Sequence, residues 1–412
     1  MTKTATAKVK CELDGVEVHY LSTYLAEKHG MTVEEYLKKF PNASIESTEV
    51  NDRYEASIKN IRRVAPPPPE QLTLEIGGLK FPVNPDVPAE ACLPLPAHYR
   101  FPTHGPLAED AKRALRYFLA RRSHWIWGPT GCGKDALPSA LCAWTRTPSA
   151  LFPINPDVDI MAWFYDRGIN KDGTFYVYGE LFNALVNGYT SPISGRQVPM
   201  AVVLSDFDRA GRAQAEALRL VGDTIQGRVK GPRGETYPVL PGTRLIITAN
   251  TMGGGDASGK SVSANVLDTS ILNRIERKLR FHLIDWRDEE PVIRAKFPLF
   301  AERYGHVLDK IGNATSALRS AVEDEDLYGE FSHRDLCGWI GDCEDIIAFH
   351  DRFEAGALPR NILSLAFQSY SDGLADAENK ALAESLVDPY IKGGALPRGK
   401  TTGVQKEPLK IT

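Results

Sequence analysis

Residues 124–145 read HWIWGPTGCGKDALPSALCAWT: an apolar tetrapeptide runs straight into a glycine-spaced loop and out of it into a helical stretch. No other segment restricts the fold as strongly. Backbone N–H groups in such a loop curl around an anion, and the following helix turns its positive end towards it, so the loop needs a strand before it and a helix after it. The loop itself, GPTGCGKD at 128–135, fits the pattern G-x-x-x-x-G-K-[ST] up to the last position, where Asp135 stands in place of a hydroxyl. A second stretch, GGDASGKS at 254–261, fits at every position. Its context is wrong, because glycine-laden residues separate it from the apolar run RLIIT (244–248) and the polar SVSANV after it is a poor helix start. Spacing argues the same way. A second strand carrying an acid must be reached through a full crossover. MAVVLSDFD, beginning at residue 200, lies far enough beyond the first loop for that, whereas LRFHLID at 279 follows the second too closely. The phosphate site is therefore expected at 128–135, with 254–261 a glycine loop.

The chain has 412 residues, 42% hydrophobic and 25% charged, enough for two or three globular domains. A net charge of −4 gives no overall basic footprint for nucleic acid. The six cysteines (Cys11, Cys92, Cys132, Cys142, Cys337 and Cys343) form no C-x-x-C pair and read as reduced thiols of a cytoplasmic protein. The opening MTKTATAKVKCELDG lacks the apolar centre of a signal peptide, and no apolar run is long enough to span a bilayer, so no membrane partner is expected.

Composition divides the chain into a small α+β module (1–45), a proline-rich linker with one hairpin, LTLEIGGLKFPV (46–105), an α/β core (106–290), a helical lid (291–395) and a loose tail (396–412). In the core, LAEDAKRALRYFLA places Leu107, Ala111, Leu115 and Leu119 on one helical stripe. The runs HWIW, MAVVL and RLIIT, with helical stretches between them, predict a three-layer α/β domain on a parallel sheet.

The order GPTGCGKD, FDRAGR, TYPVLPGTRLIITANTMGGGDASG, ILNRIERK, FSHRDLCGW over residues 95–350 resembles the MoxR branch of the AAA+ ATPases, and within it the ATPase subunit of aerobic cobaltochelatase (CobS-type). The resemblance implies an AAA+ P-loop core with a helical lid, and a ring, a hexamer, with ATP and Mg²⁺ bound between neighbouring subunits. It implies that Gly128, Pro129, Thr130, Gly131, Cys132 and Gly133 cradle the phosphates, that Lys134 contacts the β- and γ-phosphates, and that Asn250 orients the attacking water. Arg274 would be the arginine finger reaching the next subunit's nucleotide, with Arg277 its rival and Asn273 where the family has Asp; Arg334 would be the lid arginine, on a helix with a Ser332/Asp335 capping box. Where the family has Ser or Thr after the loop lysine this chain has Asp135, and where it has an Asp-Glu pair this chain has Ser205 and Asp206. Hydroxyl and carboxylate have exchanged places, so Asp135 and Ser205 are expected as metal ligands and Asp206 as the water-polarising base. The alternative reading of the exchange is a degenerate ATPase that binds nucleotide and hydrolyses it poorly. Family members often act with a partner bearing a von Willebrand A domain. A nucleotide-gated scaffold and a DNA-associated motor remain as rival functions.

Three further stretches carry expectations. GRVKGPRGETYPVLPG (227–242) reads as a hairpin whose Arg228, Lys230 and Arg233 are solvated charges. The aromatics of DIMAWFYDRGINKDGTFYVYGELFNAL are read as a short hairpin packing on the core rather than a pore-lining loop. The first module resembles Ros/MucR-type zinc fingers in HGMTVEEYLKKF; Cys11 and His29 stand at ligand positions, but Asp14 and Tyr24 replace the expected Cys and His, so a recruitment module with a degenerate metal site is expected.

Overall fold

The computed structural model describes residues 9–18, 21–41, 43, 73–170, 173–211, 214–253, 273–275, 277–353 and 358–392. The GGDASGKS stretch, the Pro66 to Pro69 run and the expected tail lie outside them. The chain divides into two compact units, one of residues 1–71 with 230–237, the other of residues 72–229 with 238–412.

The larger unit is organised by five parallel strands, here β1 (His124–Trp127), β2 (Ser149–Pro153), β3 (Ala201–Ser205), β4 (Arg244–Ala249) and β5 (Lys278–Arg280). Their spatial order is β5-β1-β4-β3-β2. The middle strands read as unbroken apolar runs because both faces are covered. Ala201 and Val203 join one buried cluster with Ile126, Ile246 and Leu279, while the alternating Val202 and Leu204 are equally buried on the opposite face. Helices α1 (Gly105–Leu119) and α2 (Ala136–Thr145) pack on the first face, α3 (Ile160–Phe164), α4 (Glu180–Val186) and α5 (Ala215–Ile225) complete the core, and α4 lies on β3. Leu107, Ala111 and Leu115 of the expected stripe are buried, with Phe118; each large side chain so buried contributes roughly 2 kcal/mol. The hairpin Thr73–Ile76/Leu79–Pro82 belongs to this core, since Ile76 and Phe81 join the same cluster.

Register decides what the sheet presents. Trp127 lies opposite both Ala249 and Arg280, and Leu204 opposite Ile247, so the carboxyl ends of β1, β3, β4 and β5 open on one edge. Ligands of open parallel sheets bind at that edge.

The lid follows as α6 (Trp286–Lys296), α7 (Pro298–Tyr304), α8 (Leu308–Glu323), α9 (His333–Phe353), α10 (Ile362–Ser371) and α11 (Ala377–Ile391), around a core that includes Phe300, Leu318, Trp339 and Phe367. Its first helix is tied to the start of α1: Asp288 accepts hydrogen bonds from Thr103 N (2.7 Å), Thr103 Oγ1 (2.6 Å) and His104 N (2.7 Å). This is the three-layer α/β core followed by a helical lid that the AAA+ resemblance implies.

The aromatic stretch forms α3 and a hairpin, Tyr165–Asn170 with Gly173–Tyr178, which packs in part: Tyr165, Tyr176 and Tyr178 are half-buried, and Tyr178 stacks on the buried Phe182 with ring centroids 4.1 Å apart. Phe164 is buried, whereas Ile169 is 78%, Phe175 41% and Val177 54% exposed. The reason is local: Phe175 covers its own hairpin at Gly168, where an added Cβ would lie 2.3 Å from the ring. The basic hairpin is present as Arg228–Lys230 and Thr236–Pro238, with its three cationic side chains exposed. No helix among the described residues is long and apolar enough to cross a membrane, and the six cysteines are free.

The smaller unit holds two short antiparallel strands, Val9–Lys10 and Glu17–Val18, and the helices Leu21–His29 and Val33–Lys39. Val9, Cys11, Leu21, Leu25 and Tyr36 are its buried centre.

Candidate nucleotide site

The loop between β1 and α2 is shaped by three glycines, each for a different reason. At Gly128 the chain is squeezed between neighbouring strand ends. Gly128 N donates to Ala249 O (3.3 Å), Phe281 N donates to Trp127 O (2.7 Å), and a Cβ on Gly128 would stand 2.5 Å from the Phe281 carbonyl oxygen. Gly131 and Gly133 take φ of +73° and +90°, which turns the loop back on itself in a region L side chains avoid. Gly131 also carries a contact. A Cβ there would lie 2.7 Å from Ser332 Oγ and 3.4 Å from the Arg334 backbone nitrogen, so the first turn of α9 rests on the loop.

The remaining loop residues follow. Pro129 O accepts from Cys132 N (3.4 Å), and Thr130 is half-buried. Burial pushes the Cys132 thiol up to about 11, making it an apolar plug rather than a nucleophile. Lys134 is 4% exposed, and the Asp135 side chain makes no capping hydrogen bond at the amino end of α2. Pro138 lies within the first turn of that helix, where its missing N–H breaks no bond, and α2 is continuous through it.

The acids gather beside the lysine. Asp135, at the start of α2, accepts a hydrogen bond from Thr248 Oγ1 of β4 through one carboxylate oxygen. Ser205 closes β3 and is buried. Asp206 follows in a left-handed conformation, φ 53°, which is strained for a residue with a Cβ. Burial raises its carboxyl above the usual range and the Asp135 carboxylate pushes the same way, against Lys134 and Arg209. The carboxylates of Asp135 and Asp206 and the hydroxyl of Ser205 are hard oxygen donors of the kind magnesium takes.

Asn250 follows β4 directly, and its position has a cause that sequence reading missed. Asp208, fully buried, accepts from Asn250 N (3.1 Å), Thr251 N (2.8 Å) and Thr251 Oγ1 (2.9 Å) through Oδ2, while its buried Oδ1 has no hydrogen-bond partner among the described residues. Between Asp206 and Asp208, Phe207 is buried edge-on to Trp125 of β1, ring centroids 5.4 Å apart. The turn after β3 thus holds the end of β4. The only signal in the sequence was the alternation Asp-Phe-Asp.

The two arginines stand apart. Arg334, in the first turn of α9, is exposed, and its N–H donates to Ser332 Oγ (3.1 Å) while Asp335 accepts from Ser332 N and Oγ (both 2.7 Å). Arg274 is held on α5. Its guanidinium donates to Asp223 Oδ1 (2.8 Å) and to Arg219 O (3.2 Å) on α5, packed against Gly222. Arg277 lies over the Tyr117 ring at 6.0 Å.

Behind the lid's contact with the loop, Glu289 is fully buried. It takes both guanidinium arms of Arg319 (2.9 Å each) and His333 Nδ1 (2.9 Å), and His333 Nε2 lies 3.3 Å from Cys337 Sγ. Burial opposes charging of the ring, but Cys337 and Glu289 together outweigh it, and the His333 pKa rises to about 9.

Fold and loop together define a phosphate-loop α/β domain with a helical lid. No family model matches the chain, and no curated protein matches it. Among solved structures it is similar to a mutant form of RuvB from Thermotoga maritima, 12% identical over 68% of this chain and 73% of that one, with a TM-score of 0.41. It is also similar to NtrX from Brucella abortus in complex with ADP, 13% identical over 94% of this chain and 83% of that one, with a TM-score of 0.42. At this distance no residue role is transferred from either.

Proposed function

We propose that the chain is an ATP-hydrolysing AAA+ ring ATPase of the MoxR/CobS type, which remodels or activates a partner protein. The observation that carries this reading is the loop 128–135 at the carboxyl edge of the sheet, with a buried Lys134 beside Asp135 and Asp206 and with Asn250 on the adjoining strand end. In it, N–H groups of the loop and the start of α2 hold the phosphates and Lys134 balances their charge. Asp206, its pKa raised, takes a proton from the attacking water, which Asn250 orients. A magnesium ion held by Asp135 and Ser205 would offset charge on the phosphate oxygens. Arg274 of a neighbouring protomer completes the charge around the γ-phosphate, and Arg334 carries the nucleotide state into the lid. The client and a von Willebrand A domain partner follow from the family resemblance alone.

The test is phosphate release by the purified full chain with ATP and Mg²⁺. Saturable release is expected, abolished by EDTA, with nucleotide affinity falling by about 100-fold or more in Lys134→Ala. Unchanged affinity in that variant overturns the site. One observation favours a second reading: the engagement of Asp135 by Thr248 leaves only part of its carboxylate for a metal, as suits a scaffold that binds ATP and hydrolyses it slowly. Tight ATP binding without release of phosphate would select it.

A further inference from the structure

The strands and helices of residues 9–40 pose a problem of size. Their centre is five buried residues, and in segments below about 40 residues so small a core commonly relies on a disulfide, a metal or some other cross-link. Their cysteine is free. The resemblance to zinc fingers points to a metal, and the structure does bring the relevant positions together: donor atoms of Cys11, Asp14 and His29 all lie within 4.8 Å of one another.

The donor chemistry does not fit zinc. A tetrahedral ion with nitrogen and oxygen ligands at 2.0–2.2 Å spaces those ligands roughly 3.3 Å or more apart. Tyr24 Oη stands 2.6 Å from Asp14 Oδ2, the length of a hydrogen bond with the phenol proton between the two oxygens. His29 Nε2 meets that same oxygen at 3.0 Å, and Val16 N donates to Oδ1 at 3.1 Å. Both Asp14 oxygens are therefore occupied, and Tyr24 is a neutral donor where a ligand would have to give up its proton. The titration of the pair agrees: the bond to Tyr24 is the largest cause holding Asp14 down at about 2, and the bond to Asp14 the largest pushing Tyr24 up to about 12. Cys11 and His29 remain, two donors short of a closed structural site.

We propose that this unit is a finger closed without metal, in which the Asp14 carboxylate, bonded to Val16 in the turn and to Tyr24 and His29 on the helix, takes the cross-linking place of the ion. Asp14 joins the same parts of the chain that a metal would join, the turn after the first strand and two positions, Tyr24 and His29, along the following helix. It does so with charge-assisted hydrogen bonds in place of coordinate ones.

The test uses the full chain, with bound zinc measured after dialysis and hydrogen exchange followed on peptides from residues 9–40. Wild type is expected to hold well under about 0.1 zinc per chain, with exchange unchanged by EDTA. Asp14→Ala should speed exchange there by roughly tenfold or more, and Tyr24→Phe, which keeps the ring and deletes the hydroxyl, by less. The double variant Asp14→Cys/Tyr24→His restores four zinc-type donors and should bind about one zinc per chain and become EDTA-sensitive. Stoichiometric zinc in wild type, or unchanged exchange in Asp14→Ala, overturns the proposal. So does a double variant that takes up no zinc, because the four positions would then not share one centre.

Discussion

Asp135 stands where a hydroxyl is expected, and Ser205 where a carboxylate is, on two elements that converge at one edge of the sheet. If the two have exchanged duties, Asp135→Ser and Ser205→Asp should each cut ATP turnover by about tenfold or more, and the double variant should recover most of it. Additive losses in steady-state phosphate release would end the idea. The glycines give a second residue-level test. Gly131 and Gly133 both have positive φ, but only at Gly131 would a Cβ strike a neighbour, Ser332 of the lid. Gly131→Ala should therefore cost about 2 kcal/mol more than Gly133→Ala in urea unfolding, and Ser332→Gly should relieve much of the difference. The loop at 128–135 was legible because its glycine spacing stands between an apolar run and a helical stretch, which the same spacing at 254–261 lacks. That a further loop glycine, Gly131, faces Ser332 from a distant part of the chain was not.

At the scale of elements, the buried strands β1, β3 and β4 were legible as apolar runs, whereas β2 and β5 were not. SALFP contains a proline and KLR is mostly charged. Both strands lie at edges of the sheet, where one side pairs with nothing and the sequence is free to be polar. The tie between the turn after β3 and the end of β4 was equally hidden. Asp208→Ala should destabilise the chain by about 3 kcal/mol, since it leaves two backbone N–H groups and a hydroxyl without their acceptor. In Asp208→Asn, an amide that still accepts a hydrogen bond, stability should largely hold while turnover falls more than affinity, read as kcat against KM. In the lid, His333 titrates at about 9 when folded against 6.5 unfolded. A raised folded value means the protonated ring stabilises the fold fully below pH 6.5, and that contribution is lost as pH rises through about 9. Thermal unfolding from about pH 6 to about pH 10 should show a decline on the order of 2 kcal/mol that His333→Gln lacks.

For the whole molecule, the proposed function brings in a second protomer, whose nucleotide Arg274 would reach once released from Asp223 on its own α5. Arg274→Ala should lower turnover by about 100-fold or more while leaving nucleotide affinity within about threefold, and assembly seen by light scattering should depend on ATP. An equal loss of affinity and turnover would place Arg274 in a purely structural role on α5. The sequence by itself determined the phosphate loop, the alternation of strand and helix and the helical lid, because those depend on local spacing of apolar and glycine residues. Only the tertiary structure decided which strands adjoin, that Ser332 rests on Gly131, that Asp208 holds Asn250, and that Asp14 gathers Tyr24 and His29. Each of those is a contact between residues far apart in the chain or turned onto one point by a fold, and no local pattern encodes such a meeting.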